Sequence, residues 1–263
     1  IILDNVEAAQ AVSRFCQKEG LEIKVLIEID CDGHRSGLTP ESPEILAVAR
    51  AIEAPAKLVG VLTHAGGSYD VDTHKALLER SRGERDGICK AAAMLRNAGF
   101  DISIVSVGST PTALTDEDLT GVTELRAGVY VFFDLFQAGV GICKPEDIAI
   151  SLLVTVIGHQ MEKGWVITDG GWMALSRDRG TANQKVDQGY GLVCDINGNI
   201  IDGLWVCGAN QEHGIITARN REGFDPKKFP IGTRLRILPN HACPTGAQHP
   251  CYYVVDGDIE VKD

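Results

Sequence analysis

The stretch Val25-Leu-Ile-Glu-Ile-Asp-Cys-Asp-Gly-His-Arg-Ser-Gly37 decides the fold: a largely apolar, β-branched run stops abruptly in a polar, glycine-bearing cluster. The succession recurs twice, with Leu58–Leu62 running into Thr63-His-Ala-Gly-Gly-Ser-Tyr69 and Ile102–Val107 into Gly108-Ser-Thr-Pro-Thr112. Apolar runs with little polar alternation read as parallel strands covered on both faces. Ile1–Leu3 and Val129–Phe133 extend the set. Between the strands, Val6–Lys18, Pro43–Glu53, Thr73–Asn97 and Asp116–Leu119 carry apolar residues at helical spacing, which gives a βαβα order and a parallel sheet. A closed barrel and a doubly wound sheet both fit that order. A doubly wound sheet concentrates its polar loops at one switch point, whereas a barrel gathers the loops after every strand on one face. Polar clusters after several strands favour the (β/α) barrel.

From about residue 149 the pattern changes. Ser151–Val156, Trp165–Thr168, Gly191–Asp195, Gly203–Cys207, Arg234–Leu238 and Tyr252–Asp256 read as short strands separated by turns such as Asn197-Gly198 and Asp256-Gly257. The expected organisation is a (β/α) barrel domain over residues 1–148 and a β domain over residues 149–263, an α/β plus β chain.

The 263 residues carry 25 basic against 36 acidic side chains, a net charge of −11, and 44% are hydrophobic. Such a chain can bury a sizeable core, which excludes wholesale disorder. The acidic balance leaves no basic stripe for nucleic acid and no cluster for an anionic membrane surface. The longest apolar run, from Ile148 to Ile157, is about half of what a bilayer crossing needs. No basic, apolar-cored leader opens the chain, and eight scattered cysteines suit a reducing compartment, so a cytoplasmic protein is expected. The chain starts without methionine in a strand-like Ile-Ile-Leu, as a piece of a longer protein would.

Asn240-His-Ala-Cys243 is the sharpest chemical signal. A period of two puts His241 and Cys243 on one side of an extended segment. Imidazole plus thiolate suits zinc, and two protein ligands leave positions open for substrate oxygens. His249 and Cys251 repeat the spacing, so spacing alone also allows a four-ligand structural site. Gly108-Ser109-Thr110 offers backbone N–H groups and two hydroxyls to an anion at a strand-to-helix turn, and Arg126-Ala-Gly128-Val129-Tyr130 offers a second set of backbone donors. Arg35 and Tyr69 lie just past two strand ends, where a planar cation could hold a phenolate-like oxygen and a phenol could meet a ring nitrogen. Asp169, Asp178, Glu212 and His213 sit in polar turns and are candidates to orient a metal-bound histidine.

Together these clusters resemble the metal-activated pyridoxal-phosphate enzymes that act on D-hydroxy amino acids: D-serine dehydratase, D-threo-3-hydroxyaspartate dehydratase and D-threonine aldolase. Asp30 to Gly37, Thr63 to Tyr69, Val107 to Thr112, Arg126 to Asp134, Gly171 to Gly180, Glu212 to Gly214 and His241 to Cys243 carry the resemblance, which runs over essentially the whole chain. It implies an alanine-racemase-like barrel followed by a β domain, a homodimer, and pyridoxal 5'-phosphate and zinc as cofactors. Arg35 would meet the cofactor's ring oxygen and Tyr69 its pyridine nitrogen. Gly108, Ser109, Thr110, Gly128 and Val129 would hold its phosphate, and His241 and Cys243 the zinc. The implied reaction is β-elimination from a D-3-hydroxy amino acid to a 2-oxoacid and ammonia. The thiolate ligand favours this over aldol cleavage, since a carboxylate in its place suits the harder metals of the aldolases.

The resemblance fails at one position. The family carries its Schiff-base lysine on the first barrel strand in a basic, His-rich motif, and no such motif occurs here. Lys24 and Lys57 precede their strands, and Lys75 and Lys90 lie on helices. With five barrel strands legible, two or three βα units would lie before Ile1, and the chain by itself is expected to be inactive. A catalytically inert pyridoxal-phosphate-binding protein of the same fold is the competing expectation.

Overall fold

The computed structural model describes residues 1–220 and 222–255. The chain divides into two compact units, Ile1–Tyr130 and Val131–Asp263.

In the first unit the elements alternate as β1 (Ile2–Leu3), α1 (Val6–Glu19), β2 (Lys24–Ile29), α2 (Glu44–Ala51), β3 (Lys57–Thr63), α3 (His74–Asn97), β4 (Ile104–Val107), α4 (Thr110–Ala113) and β5 (Glu124–Leu125). All five strands are parallel and pair in chain order. No switch point interrupts that order, as in the wall of a (β/α) barrel. Helix boundaries follow from capping. The Asn5 side chain accepts the Ala8 N–H at 2.8 Å and opens α1, and Gly20 closes it in the left-handed conformation, φ 65°. The Thr73 hydroxyl caps α3 in the same way. Val25, Ile27, Ile29, Val61 and Val105 from the sheet are fully buried against Ile45, Val48, Ile88, Ala92 and Leu95 from α2 and α3. Each fully buried aliphatic side chain of this kind contributes about 1.5–3 kcal/mol.

Two expectations for this unit give way. Asp116–Leu119 is not helical, because the Asp116 and Asp118 side chains accept the N–H groups of Asp118 and Thr120 and close local turns. Val129–Phe133 is not a strand. The pairing with β4 occurs earlier, Ser106 opposite Glu124 and Val107 opposite Leu125, after which Val129–Val131 forms a 3-10 turn and Phe133 takes φ 52°, outside the extended region.

The second unit contains α5 (Leu135–Val140), β6 (Leu152–Gln160), β7 (Trp165–Thr168), α6 (Trp172–Leu175), β8 (Gly191–Cys194), β9 (Ile200–Ala209), β10 (Gly214–Ala218), β11 (Arg234–Pro239) and α7 (Ala242–Gly246). Its six strands close an antiparallel barrel in the order β10-β7-β6-β11-β8-β9. Val154, Val156, Val166, Val193, Val206, Ile216 and Ile237 fill the interior. The sequence pattern missed β10, a short Ile-Ile-Thr run, and placed a strand at Tyr252–Asp256 instead. Tyr252–Val255 is exposed and not extended in a sheet, and Asp256, with the Asp256-Gly257 turn, lies outside the described residues. The Asn197-Gly198 turn does join β8 to β9, with Gly198 at φ 91°. Among the described residues no helix is long and apolar enough to cross a membrane.

Candidate functional site

In the first unit the carboxyl ends of β3 and β4 are tied together from below by Glu84 of α3. This side chain is 3% exposed, and its Oε1 accepts the Ala65 N–H at 3.1 Å and the Gly108 N–H at 3.0 Å. Burial pushes its carboxyl above the ordinary range, while hydrogen bonds from Thr112, Gly108 and Ala65 and the positive charge of Arg126 pull it back. Gly108 sits at φ 139°, and a Cβ there would overlap the Arg126 carbonyl, so only glycine lets these two segments approach. Arg126 reaches across the strand ends, donating from Nη2 to the Thr63 carbonyl at 2.6 Å and from Nη1 to the Ser106 hydroxyl.

Immediately after Gly108, the Ser109 hydroxyl caps α4 and lies 2.9 Å from the Ser68 hydroxyl. The Thr110 hydroxyl is buried and has no hydrogen-bond partner. A buried hydroxyl without a partner costs free energy unless something else satisfies it. Beyond Gly128 the direction a side chain would take is open, and Val129 begins the 3-10 turn. The donor set therefore fits the phosphate of a cofactor: a glycine-opened turn, two serine and threonine hydroxyls, one of them unsatisfied, and an adjacent guanidinium.

Arg35, just past β2, is exposed and lies 3.8 Å from Glu28, an ion pair of little energetic weight. Tyr69 is half-buried in the 3-10 turn Gly66–Asp70, its ring 6.0 Å from that of His64. The His64 Nδ1 lies 3.1 Å from the Gly108 carbonyl, which makes Nδ1–H the donor and leaves Nε2 as the lone pair. Burial lowers the His64 pKa, the Gly108 bond opposes that, and the charges of Arg35 and Arg126 add to the lowering, so the ring is neutral at pH 7. The charge coupling puts Arg35, His64 and Arg126 in one neighbourhood at the strand ends. None of this unit's lysines stands there. Lys24 and Lys57 begin β2 and β3, Lys18 and Lys75 lie on helices, and Lys90 pairs with Glu41.

In the second unit β11 ends in Pro239, and His241 begins the short helix α7. The His241 Nδ1 lies 2.6 Å from Asp178 Oδ2, and the ring also hydrogen-bonds Cys243. Burial pulls the imidazole's pKa down, but the bonds to Cys243 and Asp178 and the charge of Asp134 more than offset it and raise it to about 9. Five further bonds hold this segment. Asp134, fully buried, accepts the Gln137 N–H and the Ala242 N–H, both at 2.8 Å. Asn240 donates to Thr181 and to the Gly189 carbonyl, and the Thr245 hydroxyl donates to the Leu175 carbonyl at 2.6 Å. His241 and Cys243 are thus brought together, and an imidazole beside a thiol is the donor set of a borderline-soft cation such as zinc.

His249 and Cys251 do not join them. The His249 Nε2 bonds the Ala174 carbonyl at 3.1 Å, and among the described residues no group of three or more His, Cys, Asp and Glu side chains is placed to hold a metal. Of the four candidate orienting residues only Asp178 contacts His241. Asp169 accepts the Thr155 N–H, Glu212 bonds Gln211, and His213 is exposed. Glu84 went unmarked in the sequence, and His64 and Asp134 stood within marked stretches without a role of their own. Glu84 is hidden in the charged run Glu79-Arg-Ser-Arg-Gly-Glu84-Arg, and nothing local distinguishes it from a solvated side chain.

Two family models match the chain: "Alanine racemase, N-terminal domain" over residues 1–135 and "Putative serine dehydratase domain" over residues 149–255. A barrel half and a β half of these two kinds define an alanine-racemase-like protein. D-threo-3-hydroxyaspartate dehydratase from Delftia sp. is 54% identical over 266 residues, covering 100% of this chain and 70% of that enzyme. Its solved structure superposes with a TM-score of 0.92 over 96% of this chain and 68% of that one. D-serine dehydratase from Dictyostelium discoideum is 29% identical over 99% of this chain and 69% of its own. An ala racemase-like protein from Idiomarina loihiensis is 46% identical, with a TM-score of 0.90 over 95% of this chain and 66% of its own. The chain belongs to the family of D-threo-3-hydroxyaspartate and D-serine dehydratases.

Proposed function

We propose that the protein is a pyridoxal 5'-phosphate- and zinc-dependent dehydratase that converts a D-3-hydroxy amino acid, D-threo-3-hydroxyaspartate or D-serine, into a 2-oxoacid and ammonia, acting as a cytoplasmic homodimer. The observation that carries this reading is the His241–Cys243 pair held from behind by Asp178. A thiol beside the imidazole favours zinc and elimination, where a carboxylate would favour a harder metal and aldol cleavage.

When bound, pyridoxal phosphate supplies an electron sink for charge developing at the substrate's α-carbon, and zinc supplies Lewis acidity at its β-hydroxyl. The chain's own residues do the rest. Gly108, Ser109, Thr110, Gly128 and Val129 receive the phosphate, and the unsatisfied Thr110 hydroxyl gains there the partner it lacks. Arg35 meets the cofactor's ring oxygen and Tyr69 its pyridine nitrogen. A phenol at that nitrogen does not force ring protonation as a carboxylate would, which leaves more of the activation to the metal. The His64 ring, neutral and hydrogen-bonded through Nδ1 to Gly108, presents an acceptor beside Tyr69. His241 and Cys243 hold the metal with coordination positions open to the substrate.

The test is product analysis on the purified full-length protein loaded with pyridoxal phosphate and zinc. Oxaloacetate or pyruvate with stoichiometric ammonia is expected from the two D-hydroxy acids. Glycine with an aldehyde would instead establish aldol cleavage, and neither product would leave an inert cofactor-binding protein.

A further inference from the structure

We propose that Asp178 is a positioning residue for the metal: it fixes the tautomer of His241 so that Nε2 keeps its lone pair for the metal. The inference rests on the metal reading above and goes beyond it by assigning what selects the binding form of the imidazole.

A neutral imidazole carries its proton on one nitrogen only, and the nitrogen that carries it cannot bind a metal. Asp178 Oδ2 stands 2.6 Å from His241 Nδ1. A carboxylate accepts but does not donate, so Nδ1 must carry the hydrogen and Nε2 the lone pair. The ring also hydrogen-bonds Cys243, which brings the thiol to the imidazole.

The backbone is arranged for this contact. Among the described residues only two non-glycine residues have a positive φ: Ser176 at 76° and Phe133 at 52°. Ser176, with ψ 162°, occupies a region that is essentially reserved for glycine. It lies two residues before Asp178, and its hydroxyl accepts the Asp178 N–H at 3.0 Å. Phe133 directly precedes Asp134, the fully buried carboxylate that accepts the Ala242 N–H between the two ligands. Both departures from relaxed geometry thus stand next to the two acidic residues that hold the His241–Cys243 segment. Thr181 and Asn240 bond each other further along the same two segments, so the loop that carries Asp178 is pinned to the segment that carries His241.

The experiment measures zinc affinity by competition with a chromophoric chelator, together with long-range nitrogen–proton NMR of the His241 ring in the metal-free protein. Wild type is compared with Asp178→Asn, Asp178→Ala and His241→Ala, with circular dichroism and thermal midpoints confirming that each is folded. Wild type, recorded above pH 9 where the ring is neutral, is expected to show the Nδ1–H tautomer. Asp178→Asn presents an amide N–H to Nδ1 and moves the proton to Nε2, and both Asp178 variants should bind zinc about 10- to 100-fold more weakly. Their turnover should return at high zinc with the KM for the amino acid unchanged. Folded Asp178 variants with the wild-type tautomer and wild-type zinc affinity would overturn the assignment while leaving the metal pair standing. A His241→Ala protein that binds zinc as well as wild type would overturn the metal pair, and the assignment with it.

Discussion

Replacing Asp134 with alanine removes a side chain that joins α5 to the His241–Cys243 segment. Its Oδ1 caps α5 through Gln137, and its Oδ2 takes the Ala242 N–H, each at 2.8 Å. Loss of the cap costs about 1 kcal/mol. The Ala242 N–H, in a residue that is 1% exposed, then has no acceptor, at a further cost of about 1–3 kcal/mol. Burial already holds the Asp134 carboxyl above its ordinary range, so removing the charge returns part of this. The net is about 2 kcal/mol, and at about 3 °C per kcal/mol for a unit of this size the midpoint falls by roughly 6 °C. Differential scanning calorimetry reads it, and the affected transition is the one that added zinc raises, since ligand binding stabilises only the unit that holds it. A shift below about 3 °C would mean that the Ala242 N–H finds another acceptor and that the segment does not depend on Asp134.

Three further outcomes follow from named contacts. Thr110→Val removes a hydroxyl that has no partner, so stability should change by less than about 1 kcal/mol; pyridoxal phosphate affinity, followed by fluorescence, should fall about 10- to 100-fold for one lost hydrogen bond to a charged group. For Glu84, whose folded carboxyl titrates above 4.5, the unfolded chain gives up its proton first as pH rises, so the ionised form weakens the fold. Glu84→Gln keeps an acceptor for Ala65 and Gly108 and does not titrate, so its stability relative to wild type, from urea unfolding, should increase as pH rises above about 4.5; parallel curves would contradict this. His249→Ala should leave the zinc content of the protein unchanged, because His249 bonds the Ala174 carbonyl, whereas a fall measured by metal analysis would revive the four-ligand site.

The readable parts of the sequence were those where chemistry and periodicity coincide. Val25–Ile29 and Leu58–Leu62 announce strands because both faces are covered and little polar alternation survives. Gly108-Ser109-Thr110 and His241-Ala-Cys243 are local enough to read in sequence, although Cys243 lies in the short helix Ala242–Gly246 and not in the extended segment that the period of two implied. The tertiary partners were not local. Glu84 lies 24 residues from Gly108 in sequence and Asp134 lies 108 from Ala242, and each looks like an ordinary solvated acid. Asp178 stood among four equivalent candidates until the Ser176 turn brought it to His241, 63 residues away. Val129–Phe133 misled because its apolar residues were read as strand pairing. Phe132 and Phe133 instead pack against the cluster of Leu135, Ile148 and Ile150 in the second unit. β10, Gly-Ile-Ile-Thr-Ala, went unread.

The most direct measurement is metal analysis of the purified protein, of His241→Ala and of Cys243→Ala, with ammonia release from D-threo-3-hydroxyaspartate recorded after chelation and after zinc is returned. The account predicts about one zinc per chain that either substitution removes, and release that stops with chelation and resumes with zinc in wild type alone. Ammonia release that persists in the chelated protein, or zinc retained by both variants, would contradict it.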